Sequence, residues 1–209
     1  MTRKYLYILL ALDLILVLAH IFWGQSVYIL NLDYERTVPA YYSGLKLVSI
    51  SALALAVFFL LKKKKEKIIW LLVSFFFIGL AFDEISELHE NLGDYFLSVF
   101  QNYSIFEQAS FMWLIFLSPF ILGALAVLIY FLFSLRGHKS FYYVLIGLIC
   151  FILVLAFEFL GGLIIRSHYD IYQLVIVTEE AMEKIGASFF FFGILLFFRD
   201  RFNRLYRKI

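Results

Sequence analysis

Long apolar runs alternate with short polar stretches along the chain, and their lengths predict helices. The runs cover 5–23, 41–61, 68–90, 108–135, 140–165 and 172–198. Each supplies the roughly 20 residues needed by a helix rising 1.5 Å per residue to cross a bilayer core. The predicted fold class is all-α: residues 1–209 form a single domain of six transmembrane helices. Pro119 lies inside the fourth run and predicts a kink. Among the polar breaks, 91–107 mixes Gly93, Asp94 and Asn102 with aromatics, as a loop or short interfacial helix would. The tail 199–209 is basic with interleaved apolar residues and predicts a segment lying along the membrane surface.

Composition agrees with this pattern. A chain with 64% hydrophobic residues, 21% aromatics and mean hydropathy +0.90 is not a soluble domain, where the apolar share runs near half. The first run follows Arg3 and Lys4 as a signal peptide would. Asp13 and His20 interrupt it, however, and no small-residue cleavage site follows, so it reads as a retained helix. The one cysteine, Cys150, excludes a disulfide within the chain.

Charge placement sets the orientation. The N-terminus, the 62–67 block, the 136–139 turn and the tail hold two, five, two and five of the 18 basic residues. In a six-span arrangement all four lie on one side. The positive-inside rule then puts both termini in the cytoplasm of a multi-pass cell-membrane protein. Membrane lipid is the expected environment and partner, with no nucleic acid.

Candidate chemistry lies near the opposite side. The third run ends in Asp83-Glu84-Ile85-Ser86-Glu87-Leu88-His89-Glu90, and the sixth carries Glu179-Glu180-Ala181-Met182-Glu183-Lys184. Continued as a helix, the first string puts Asp83, Glu87 and Glu90 on one face, with Glu84 and His89 on opposite borders. Counted from the basic boundary, Asp83, Glu158, Glu183 and His20 all stand roughly 24 to 27 Å up, and Asp13 alone lies near the middle. Glu180 and Lys184 have i, i+4 spacing and are expected to pair. Lys46, Arg36 and Arg166 cannot neutralise this many acids, so protons or metal ions should supply the balance.

Carboxylates with an imidazole suit Mn, Fe or Zn, and a dinuclear site fits the ligand count. The expected metal ligands are Asp83, Glu87, His89, Glu90, Glu179 and Glu183, and the expected catalytic residues Glu87, His89 and Glu158. The Glu-x-x-His pairs of bundle di-iron proteins are missing. The string at 83–86 is similar to one motif of the alkaline ceramidase group of membrane zinc hydrolases. The chain has no His-x-x-x-His, so the similarity places no zinc ligand here. Nothing resembles a phosphate loop, a dinucleotide fingerprint or a CxxC pair. The leading expectation is a membrane metalloenzyme acting on a lipid-like or extracytoplasmic substrate. A cation or proton-coupled transporter and a structural subunit of a larger complex remain as alternatives.

Overall fold

Helices do begin and end near the polar breaks, and local chemistry explains where. In the computed structural model, which describes residues 3–24, 26–34, 36–100, 109–164 and 169–206, eight α-helices follow one another. They are α1 (Arg3–Ala19), α2 (Val38–Leu60), α3 (Lys64–Ser86), α4 (Leu88–Phe100), α5 (Ala109–Phe116), α6 (Ser118–Ser134), α7 (Ser140–Ile164) and α8 (Tyr169–Tyr206). No strand occurs among the described residues. A π turn, His20–Gly24, extends α1. The Thr37 hydroxyl caps α2 by accepting from the Ala40 N–H, and Pro39 sits in the first turn, where its missing N–H costs nothing.

Two expected helices are each broken into a pair. The fourth run splits at Leu117 into α5 and α6, two residues before Pro119. Proline cannot donate to the carbonyl four residues back, and the Ser118 hydroxyl takes that bond, to Ile115 O at 2.7 Å. The third run was expected to continue to 90. It stops instead at Ser86, with Glu87 in the left-handed region at φ 56°. α8 runs unbroken for 38 residues and carries the basic segment in helix as far as Tyr206. Part of the 91–107 connection and the 165–168 turn, which holds Arg166 and His168, lie outside the described residues.

Five helical stretches are long and apolar enough to cross a membrane: Arg3–Gly24, Val38–Leu60, Lys64–Ser86, Ser140–Ile164 and Ile171–Leu205. Their outward faces carry large apolar side chains, with Phe59, Phe75, Tyr142 and Leu174 among the most exposed. Apolar surface on that scale suits lipid and not water. The core joins α2, α3, α6, α7 and α8 through residues such as Ile50, Val57, Phe77, Leu128, Val144 and Phe190. Trp70 anchors its inner end, edge-on to Phe131 and stacked on Phe197, each 4.8 Å between centroids. α7 and α8 approach closely because Gly147 and Gly186 face each other; a Cβ on Gly186 would sit 2.7 Å from the Phe151 ring. That contact fixes the height of α8's acidic upper half against α7 and Glu158.

Candidate functional site

The break after Ser86 builds one wall of the site. Asp83 reaches past the end of α3 and accepts the His89 backbone N–H on Oδ1 and pairs with the ring Nδ1 through Oδ2, each at 2.9 Å. One carboxylate thus fixes both the first turn of α4 and the imidazole. Burial works to lower the His89 pKa, but the hydrogen bond and charge of Asp83, helped by Glu158 and Glu90, outweigh it and raise it to about 9. The Asn91 amide caps the corner by donating to Glu87 O at 2.6 Å.

Beside this wall lies a cavity of about 130 Å³. Its acidic lining comes from the 31–34 connection (Asp33), α3 (Glu84), α4 (Glu90), α7 (Glu158) and α8 (Glu179, Glu180, Glu183), joined by His89. Two pairs of carboxyl groups lie close across helices at the cavity: Glu158 beside Glu179, and Glu84 beside Glu183. Carboxyl groups this close need a proton or a cation between them. Trp113 Nε1 also donates to Glu158 Oε1 at 3.0 Å, and its ring lies 5.0 Å from His89. At the mouth, desolvation, followed by the charges of Glu180 and Glu158, pushes the Asp33 carboxyl up to about 6.

Below the cavity the charges are paired in the ordinary way. Lys184, 1% exposed, donates to Glu180 Oε2 at 2.5 Å, as their spacing suggested. Lys46 donates to Asp13 Oδ1 at 2.7 Å, to the Lys184 carbonyl at 2.8 Å and to Ser188 Oγ at 3.2 Å. Ser188 in turn donates to Asp13 Oδ2 at 2.6 Å. Lys46 therefore does not bridge the acidic rim; it turns inward to a buried carboxylate. His20 is buried as well, but its Nδ1 accepts the Leu32 N–H at 3.0 Å and so anchors the connection that carries Asp33.

Of the residues expected from sequence, His89, Glu90, Glu158, Glu179 and Glu183 meet at the cavity. Asp83 stands behind His89, and Glu87 forms the helix corner; neither is part of the lining. Glu84, given a border position by the continuous-helix reading, instead faces α8. Asp33 was missed, because an irregular connection has no period from which a direction could be read. Residues 6–197 match the family described as Domain of unknown function (DUF8692). The chain belongs to that family. No curated protein and no solved structure matches it.

What the family member's site can do follows from its donors. Carboxylate oxygens with one imidazole can bind hard or borderline divalent cations or share protons. Among the described residues, no group of three or more His, Cys, Asp and Glu side chains already has metal-holding geometry. Asp83 is drawn to His89 and Glu180 to Lys184, which leaves Asp33, Glu84, Glu90, Glu158, Glu179 and Glu183 around the cavity.

Proposed function

We propose that this chain is a cell-membrane protein that binds a divalent metal ion, Mn, Fe or Zn, in the acid-walled cavity near the external surface. It acts there as an enzyme on a lipid-like or extracytoplasmic substrate. The observation that carries this reading is the pairing of carboxyl with carboxyl, Glu84 with Glu183 and Glu158 with Glu179, beside an imidazole. Natural interiors pair opposite charges, so like pairs around a cavity mark a place for an added cation. Six crossings with both termini cytoplasmic go with this proposal. The five long spans support it, α5 and α6 in succession offer 8 and 17 residues for the remaining crossing, and the basic segments collect at one end.

In this reading Glu84, Glu179, Glu183, Glu90 and His89 form the donor set. Asp83 holds the imidazole by one nitrogen, and the other would become a ligand on giving up its proton, the usual arrangement behind a metal-bound histidine. A metal held there would supply Lewis acidity. Glu158, positioned by the Trp113 N–H, would hold a proton at the cavity wall. About 130 Å³ admits an ion, a few waters and one reacting group but not a whole lipid, so a bulky substrate would enter by its reacting end only.

Elemental analysis of the purified protein, wild type beside Glu84→Gln/Glu183→Gln, tests the reading. Stoichiometric metal in the wild type and its loss from the variant are expected; a wild type without metal after loading with Mn, Fe and Zn in turn overturns it. A second reading, a cation or proton-coupled transporter, is favoured by the buried charged groups below the cavity, the Lys184–Glu180 pair and, beneath it, the Lys46–Asp13 pair. Cation or proton flux in proteoliposomes that is abolished by Asp13→Asn would select it.

A further inference from the structure

A second crevice lies at the opposite, basic end of the bundle, where the α6–α7 turn meets the last turns of α8. Ser134, Arg136, Gly137, His138, Phe197, Asp200, Arg201 and Arg204 line it, around about 230 Å³. From its residues we infer that this crevice binds the phosphate group of an anionic phospholipid headgroup. Arg136 lies over the Phe133 ring at 4.2 Å and Arg201 over Phe197 at 5.0 Å. Stacking uses the face of a guanidinium and leaves its in-plane N–H donors for an oxyanion. Among the described residues no carboxylate pairs with Arg136, Arg201 or Arg204.

The one acid in the lining is held aside. His138 Nδ1 accepts the Ser140 N–H at 3.1 Å, so the ring's hydrogen sits on Nε2 and is donated to Asp200 Oδ2 at 3.2 Å. Asp200 also lies 3.6 Å from Arg199, outside the crevice. Three arginines thus converge from two elements on a space at the basic end of the bundle. A phosphate diester is the ligand that bidentate guanidinium contacts fit best there.

The test is a titration of the full-length protein, in a zwitterionic detergent, with dihexanoyl phosphatidylglycerol, followed by intrinsic fluorescence, since Trp70 stacks on crevice-lining Phe197. Saturable binding is expected, weakened about tenfold by Arg136→Gln and about tenfold by Arg204→Gln. Arg199→Gln removes the same charge from the same helix and is expected to change nothing. Equal weakening by Arg199→Gln, or equal binding of dihexanoyl phosphatidylcholine, would reduce the effect to general attraction and overturn the site. Inorganic phosphate producing the same change at the same concentration would overturn the assignment to lipid.

Discussion

Two buried charge clusters, stacked on the same stretch of α8, solve the problem of burial in opposite ways. In the lower one Asp13 faces Lys46, and Ser188 and the Lys184 carbonyl complete the coordination of the ammonium. Nothing needs to be added. In the upper one the carboxyls of Glu158 and Glu179, and of Glu84 and Glu183, meet each other. A satisfied polar network specifies a fold; an acid pair leaves room for a visitor. The lower cluster therefore reads as a structural rivet between α1, α2 and α8, and the upper as the binding site.

The largest effect should come from removing half of the rivet. Lys46→Met leaves the Asp13 carboxylate buried and unpaired, and should cost about 3–5 kcal/mol in detergent unfolding experiments. Most of that loss should return in Asp13→Asn/Lys46→Met, which removes the charge altogether. A cost below about 1 kcal/mol for the single variant would erase the contrast between the clusters. The upper cluster should respond with the opposite sign. Glu183→Gln relieves a like-charged contact and should stabilise the chelator-treated protein by about 1 kcal/mol while weakening metal binding. Destabilisation as large as that of Lys46→Met would make the cavity acids structural instead.

An intermediate effect concerns pH. His89 has its pKa raised from 6.5 to about 9, so the protonated ring stabilises the folded chain. That contribution is complete below about pH 6.5, declines above it and is gone once pH has risen through 9. Thermal unfolding between those limits should show the decline in the wild type and a flatter profile in Asp83→Asn. The same slope in both would mean that Asp83 does not hold the imidazole. The smallest change belongs to the helix corner: Glu87→Gly should relieve a left-handed non-glycine residue, worth about 1 kcal/mol, without loss of bound metal. Metal loss in this variant would return Glu87 to the ligand set.

Apolar run length was legible along the chain because a helix long enough to cross a bilayer needs about 20 apolar residues, and five described helices meet that requirement. The shared height of Glu158, Glu179, Glu183 and the end of α3 was legible for the same reason: a fixed rise per residue turns sequence distance into depth. Direction was harder. The helical wheel that grouped Asp83, Glu87 and Glu90 assumed an unbroken helix, yet Asp83 captures the His89 N–H and ring and helps turn the chain after Ser86. Lys46 was counted among the cations available to the acids, but its four-carbon stem equally allows it to descend, and Asp13 below decides the matter. Both misreadings come from side-chain contacts between residues that no local period connects.

The most direct measurement is the thermal unfolding of purified protein with Mn²⁺, Fe²⁺ or Zn²⁺ and with chelator, wild type beside Glu84→Gln/Glu183→Gln. The account predicts that at least one of these ions raises the wild-type midpoint, that chelator reverses the gain, and that the variant, already relieved of its paired acids, gains nothing. A wild type indifferent to all three, or a variant that gains as much, would contradict a metal site at the meeting of α3 and α8.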